Sequence, residues 1–394
     1  MHMKIDGIFK SILSALLLLS FGCATGNNET TSVESGDSAL QAQAEVMANT
    51  MIEGMSLRQR IGQRFIGWIP RDGISNENRR LLAAGEIGGF ILYPWNYDSL
   101  DSAKALTSDL HNLAAGSSHK IPLFLSADQE GGRVAAFRYP ELIQLSAAFH
   151  IGSYGDPELV EAAAFINGVQ LRSIGINMNL APVLDLYAKP DRTIIGDRSF
   201  GADEPMVSSL GRAYIRGMQR TGVIPVIKHF PGHGLSTVDS HGDLPVIDSI
   251  DSEVLKIHME PFAQAIEEGA RAVMTAHLLF PSIDSFFPVT LSSIFIQDIL
   301  RGSYGFDGLI ITDGLSMGAL SKHYSLDDTL KRCFEVGIDV ILIHSRYSVE
   351  DLIEKLVAMV ASGEILEEQI TDGLQRVLRE KIQSGLIPIL ESDS

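Results

Sequence analysis

Val223-Ile224-Pro225-Val226-Ile227 runs without a break into Lys228-His229-Phe230-Pro231-Gly232-His233-Gly234, with Asp239-Ser240-His241 shortly after. The first five residues are apolar and largely β-branched, as in a strand buried on both faces. From Lys228 to His241 the chain carries three histidines, one lysine and one carboxylate within 14 residues. Core packing explains an apolar run, but it does not call for titratable groups this dense beside glycines. A loop that carries chemistry does.

The same pattern recurs along the chain. Apolar runs stand at Phe65–Ile69, Ile87–Tyr93, Ile121–Ala127, Met178–Leu184, Val223–Ile227, Ala272–Ala276, Leu309–Thr312 and Val340–Ile343. Between them lie segments of helical periodicity: Ser99–Ala115, Glu158–Ile174, Pro205–Thr221, Ser252–Glu268, Leu326–Val336 and Val349–Val360. Near-continuous apolar strands alternating with amphipathic helices predict a parallel sheet covered by helices. Eight strands predict an α/β fold of the (β/α)8 TIM-type, one barrel in a single domain. An open doubly wound sheet is the alternative, and no glycine-rich dinucleotide turn after the first strand supports it. Polar residues close the runs: Asp128 the third, Asp185 the fourth, Lys228 and His229 the fifth, His277 the sixth, Asp313 the seventh and His344 the eighth. In a barrel these all fall on the carboxyl-terminal rim, where such folds place their chemistry.

The chain of 394 residues is 45% hydrophobic and 20% charged, enough for a large core. A formal net charge of −18 argues against nucleic acid, whose phosphates need a basic face. Two cysteines, Cys23 and Cys333, exclude a disulfide framework. At the amino end, Lys4 and Lys10 precede an apolar run from Ile12 to Phe21, the length of a signal-peptide core. Its close, Leu18-Leu19-Ser20-Phe21-Gly22-Cys23, resembles a bacterial lipoprotein processing site with Cys23 as the lipidated residue; a cleaved signal without lipid is the competing reading. Residues 24–44 are polar and read as flexible. The expected organisation is a signal peptide over 1–22, a tether over 23–45 after lipidated Cys23, and a catalytic barrel over 46–390. Export and attachment to a bacterial membrane through the lipid, on the periplasmic or cell-surface side, are expected with it.

Four stretches offer chemistry. Ser126-Ala127-Asp128-Gln129-Glu130-Gly131-Gly132-Arg133 ends a strand with an acceptor-rich corner suited to a polyol, and its paired glycines would let backbone approach a ligand. Ile195-Gly196-Asp197-Arg198-Ser199-Phe200-Gly201 could fix a loop or bind a ligand. Asp239 and His241 can fold face to face, so that the carboxylate sets the imidazole tautomer and the other ring nitrogen exchanges a proton. Asp313, in Thr312-Asp313-Gly314-Leu315-Ser316-Met317, could be only a turn residue, or a nucleophile toward an anomeric carbon. The histidines lack the compact pairing of a metal site, so no metal and no cofactor is expected. A Ser-His-Asp hydrolase is disfavoured because no serine sits in a Gly-x-Ser-x-Gly elbow.

Together these motifs resemble glycoside hydrolase family 3, specifically its single-domain β-N-acetylglucosaminidases, from about Met51 to about Gly385. Asp-Gln-Glu-Gly-Gly-Arg-Val, Ile-Gly-Asp-Arg-Ser-Phe-Gly, Lys-His-Phe-Pro-Gly-His-Gly with Asp-Ser-His, and Thr-Asp-Gly-Leu-Ser-Met occur in the family's order, and Pro288-Val289-Thr290-Leu291-Ser292 looks like its linking segment. The resemblance implies Asp313 as nucleophile, His241 as acid/base with Asp239 as its partner, and Asp128, Arg198, Lys228 and His229 as binders of a terminal N-acetylglucosamine. It implies a retaining exo-glycosidase acting on peptidoglycan fragments (muropeptides) or other amino-sugar glycans, expected as a monomer. A phosphorylase, a β-glucosidase and a non-catalytic sugar-binding lipoprotein are the alternatives. One departure stands out. Ala136 occupies the place of a sugar-contacting arginine, with Arg138 two residues on.

Overall fold

A computed structural model of the chain describes residues 30–189, 191, 194–236, 238–344 and 346–389. Two compact units are distinguished, residues 1–43 and 44–394. The expected signal peptide and Cys23 lie outside the described residues. The expected tether is described from Thr30 onward, and there it is the start of a helix, Thr30–Glu53, rather than flexible chain. Ser38 to Glu53 contains neither glycine nor proline and is rich in Ala, Gln, Glu and Met, which favour helix. In the second unit Ala44, Ala48 and Ile52 are already buried.

That unit is a barrel. Its strands are β1 (Phe65–Trp68), β2 (Gly89–Ile91), β3 (Phe124–Ala127), a small hairpin of β4 (Gln129–Gly131) and β5 (Val134–Ala135), β6 (Met178–Asn179), β7 (Ile224–Phe230), β8 (Ala272–Thr275), β9 (Leu309–Thr312) and β10 (Ile341–Leu342). Eight strands form one parallel sheet in the order β10-β1-β2-β3-β6-β7-β8-β9. The seam closes where Ile311 pairs with Val340 in parallel and the Thr312 amide donates to the Val340 carbonyl at 3.0 Å. All eight expected strands are present, in the expected order.

The continuous apolar runs have a direct cause. Side chains alternate across a strand, and both faces of this sheet meet apolar layers. Ile66, Ile91, Phe124, Val226, Met274, Ile311 and Leu342 belong to the cluster inside the cylinder. Their neighbours Phe65, Phe90, Leu125, Ile227, Val273, Ile310 and Ile341 pack outward among the helices. The expected helices are found at Leu100–Ala115, Pro157–Ile174, Glu204–Gln219, Ser252–Glu267, Leu326–Val336 and Val349–Ala361.

Two strands differ from expectation in ways that shape the rim. β6 stops at Asn179, where the Ala181 amide turns back to the Asn179 carbonyl at 2.8 Å, and a bridge to β7 re-forms at Val183 with Lys228. β7 continues three residues beyond its apolar run, because the Leu184 amide donates to the Lys228 carbonyl at 2.7 Å and the Ala276 amide to the Phe230 carbonyl at 2.8 Å. Lys228 and His229 are therefore strand residues, not loop residues. At the other mouth the helix Glu367–Gln383 supplies Lys381, whose ammonium donates to Gln63 Oε1 and the Gly88 carbonyl, both at 3.0 Å.

Candidate active site

The carboxyl-terminal rim surrounds a cavity of about 440 Å3, within the usual range for a small-ligand site. Asp128, Arg198, Lys228, His229, His241, Asp313 and His344 all line it. Asp185 and His277 do not reach it. Both are fully buried beneath the rim, where they hold the groups that do.

On the β3 side the charges form one network. Lys228 Nζ lies 2.6 Å from Asp128 Oδ1 and 2.7 Å from Glu130 Oε1. Arg198 grips the same Glu130 with two bonds, Nε to Oε2 at 2.8 Å and Nη2 to Oε1 at 2.7 Å. Burial would raise the Glu130 carboxyl, but the two cations outweigh it and bring it down to about 2. Burial likewise works against the Lys228 ammonium, and Asp128 and Glu130 reverse the sign, so its pKa is raised. Asp197, which neighbours Arg198 in sequence, pairs with Arg133 at 2.6 Å. Two ion pairs thus cross between the β3 loop and the segment 194–198. Gly131 and Gly132 serve this loop rather than a ligand. A Cβ on them would meet the Ser146 carbonyl at 2.6 Å and the Ala147 side chain at 2.5 Å, and both have positive φ.

Asp185 Oδ2 accepts the His229 Nδ1–H at 2.7 Å, and its Oδ1 accepts the amides of His229 (3.2 Å) and His233 (2.6 Å). This fixes the His229 tautomer and turns Nε2 toward Arg198, 3.4 Å away. Burial and the neighbouring His229 push His233 down to about 4, and its Nε2 meets Ser240 Oγ at 3.0 Å. Ser240 is buried between Asp239 and His241 and anchors that pair. The His241 Nδ1–H donates to Asp239 Oδ1 at 2.8 Å, and its backbone amide donates to the same oxygen at 2.9 Å. Nε2 is left to trade a proton. Both side chains are well exposed, at 68% and 61%, so His241 lines the cavity from its solvent-facing side. The three histidines of the stretch take three separate partners.

Asp313 comes directly after β9. Burial would push its carboxyl up, but the imidazoles of His229 and His277, the Gly314 amide at 2.7 Å and His241 bring it down to about 2. His277, itself shifted down by burial, is held by Thr290 Oγ1 at 2.8 Å and lies 3.3 Å from the Gly314 carbonyl. Thr290 also bonds Thr275 Oγ1 at 2.9 Å, so the segment after β8 braces the turn that carries Asp313. The site thus joins an ionised carboxylate, an imidazole with one free nitrogen, and a facing set of paired charges. That combination can displace a leaving group at an anomeric carbon while protonating it.

Glu130 and Tyr93 belong to this arrangement without being expected site residues, whereas Asp185 and His277, expected on the rim, support it from beneath. Tyr93 lines the cavity and stacks on Trp95 with ring centroids 4.4 Å apart. Glu130 stands in the stretch that ends β3, but its partners Arg198 and Lys228 lie far away in sequence and nothing local marks the contact.

Residues 42–380 match the family model described as Glycosyl hydrolase family 3 N terminal domain. A relative named Beta-hexosaminidase A from Pseudoalteromonas piscicida is 30% identical over 328 residues, 77% of this chain and 55% of its own length. One named Beta-hexosaminidase from Hydrogenovibrio crunogenus is 34% identical over 274 residues, covering 68% of this chain and 74% of its own. Among solved structures, a glycoside hydrolase family 3 beta-N-acetylglucosaminidase from Paenibacillus sp. str. FPU-7 superposes with a TM-score of 0.80 at 36% identity, over 86% of this chain and 65% of that one. The chain therefore spans somewhat over half of some relatives and about three quarters of others.

Proposed function

This chain belongs to glycosyl hydrolase family 3, and from that premise we propose that it is a retaining exo-glycosidase releasing β-linked N-acetylglucosamine from the non-reducing end of amino-sugar glycans. The observation that carries the reading is the pairing, around one cavity, of the low-pKa carboxyl of Asp313 with a His241 ring whose Nδ1 is committed to Asp239. The names of the relatives, beta-hexosaminidase and beta-N-acetylglucosaminidase, support the substrate class.

In the first step Asp313 attacks the anomeric carbon, and the bond to the glycosidic oxygen breaks as His241 Nε2–H gives that oxygen its proton. Asp239 stabilises the imidazolium before this transfer and keeps the ring in one tautomer. In the second step neutral His241 takes a proton from water, whose oxygen displaces Asp313, so two inversions retain the β configuration. Asp128 after β3, Lys228 and His229 on β7, and Arg198 from the segment between them bind the sugar hydroxyls. The natural substrate is then a muropeptide or another glycan with a terminal amino sugar.

The test is turnover of an aryl β-N-acetylglucosaminide, with the first-formed anomer read by NMR. Release of the β-anomer is expected, and Asp313→Ala should lower turnover by at least about 10³-fold. Sugar-1-phosphate formed only when phosphate is added would replace hydrolysis by phosphorolysis. Absence of any glycoside turnover would leave a sugar-binding protein.

For placement, the apolar run Ile12–Phe21 just before Cys23 supports export and a lipid anchor, so that the barrel works beside the cell wall. Metabolic labelling with a fatty-acid analogue tests this: wild type should label and Cys23→Ser should not. An unlabelled wild type would leave a cleaved signal without lipid.

A further inference from the structure

A second cavity of about 420 Å3 adjoins the first and shares Tyr93, Asp128 and Val134 with it. Ala136, Arg138 and Tyr139 lie on its other walls. Position 136 is pinned beside the shared wall, because its amide donates to the Asp128 carbonyl at 2.9 Å and its carbonyl accepts from the Tyr97 hydroxyl at 3.2 Å. Only a methyl group projects there, and the space next to Asp128 stays open.

The topology says which part of a bound sugar this space meets. In the closed cylinder β3 and β9 lie four strands apart in either direction, so Asp128 and Asp313 face each other across the mouth. C4 lies opposite C1 in a pyranose ring. A sugar whose ring lies across the mouth, with its anomeric carbon over Asp313, turns its C3–C4 edge to Asp128, and beyond that edge is the second cavity.

The charge in that cavity is uneven. Asp128 is offset by Lys228, and Arg133 is paired with Asp197. Arg138 is exposed and donates to the Ala135 carbonyl at 3.2 Å and to the Arg133 carbonyl. Among the described residues no carboxylate pairs with it. A guanidinium held this way can still bind an anion by charge-assisted hydrogen bonds.

We propose that the cavity beside Ala136 receives a carboxylate-bearing substituent on the C3 or C4 oxygen of the terminal sugar, with Arg138 as the specificity-determining residue. The proposal rests on reading the first cavity as an N-acetylglucosaminide site. A bare hydroxyl leaves the second cavity filled with water. An ether-linked carboxyalkyl group reaches past Asp128 to the guanidinium, and a long side chain at position 136 would close the way.

The experiment compares aryl β-N-acetylglucosaminides that are unsubstituted, 3-O-carboxymethylated, 4-O-carboxymethylated, or O-propylated as neutral isosteres. Wild type should cleave at least one carboxymethyl glycoside in preference to its neutral isostere. The ratio of kcat/KM for that glycoside over the unsubstituted one should fall about tenfold or more in Ala136→Met, whose long side chain carries no charge, and in Arg138→Gln. For the isostere, Arg138→Gln should leave the ratio unmoved. Turnover of the unsubstituted glycoside with none of the carboxymethyl ones overturns the proposal, as does a ratio indifferent to Arg138→Gln. If no glycoside is cleaved, the hydrolase reading fails separately. Calorimetric titration of the methyl 3-O- and 4-O-carboxymethyl glycosides then decides: binding weakened by both substitutions supports the proposal, and no binding to wild type overturns it.

Discussion

The amide of Gly318 donates to the carbonyl of His241 at 3.0 Å, and the next amide, Ala319, donates to Ser240 at 3.1 Å. The loop bearing the proposed acid/base is thereby fastened to the loop after the proposed nucleophile. Gly318 is needed for this approach, since a Cβ there would lie 2.4 Å from the Gly242 carbonyl. Gly318→Ala should push the two loops apart and displace His241 from Asp313. A fall in kcat/KM of about 10–100-fold is expected, with a stability loss of about 1–3 kcal/mol from overpacking. Steady-state kinetics beside a urea titration checks both. Full activity in a folded variant would mean that this contact does not position His241.

Asp239 contributes through His241, so its removal should be felt where the leaving group needs a proton. Asp239→Ala is expected to lower kcat/KM by about 10²–10⁴-fold with a poor leaving group such as a sugar. The deficit should shrink with a dinitrophenyl glycoside, whose leaving group departs as an anion. A deficit of the same size on both substrates would assign Asp239 to binding instead.

The barrel is legible in the sequence because its strands are apolar on both faces, and the cluster inside the cylinder and the layer outside each demand that pattern. The residues aimed into the cavity are legible too, since Asp128, Lys228, His229 and Asp313 come after or end apolar runs. What stays hidden depends on distance in sequence. Glu130 meets Arg198 and Lys228, which lie 68 and 98 positions away (198 − 130 and 228 − 130), and no local pattern announces such a partner. Asp185 reads only as the polar residue that closes the fourth run, and the groups it holds, His229 and His233, lie more than 40 positions on. The helix Glu367–Gln383 is absent from the expected set, although its buried face closes the amino-terminal mouth. The helical start at Thr30 escapes any reading that equates polar composition with flexibility.

The low pKa of Asp313 sets an expectation for the pH profile. With its carboxyl brought down to about 2 from an ordinary 3.8, Asp313 stays ionised through the whole mildly acidic range. For a dinitrophenyl glycoside, kcat/KM reports the first step and needs no acid. It should therefore stay level from pH 7 to pH 4. A decline with a midpoint near 4 would mean that the nucleophile titrates like a solvent-exposed carboxylate, and that the charges around it do not act as the geometry implies.

Glu130 carries the last expectation, because it joins the cations of the sugar-binding side. Its side chain is 4% exposed, and it is the one carboxylate bonded to both Arg198 and Lys228 among the described residues. Glu130→Gln keeps the shape and removes the charge, leaving two buried cations with Asp128 alone between them. Breaking a buried ion pair in this way costs about 3–5 kcal/mol. The shift fixes the sign of the pH dependence. The folded-state pKa is depressed to about 2 from an ordinary 4.5, so the stabilisation is fully present above about 4.5 and is lost as pH falls toward 2. Urea titrations of wild type and Glu130→Gln should differ by the full amount at pH 7 and by clearly less at pH 3. A difference that is constant with pH would trace the loss to hydrogen-bond geometry, and no difference at pH 7 would remove Glu130 from the centre of the network.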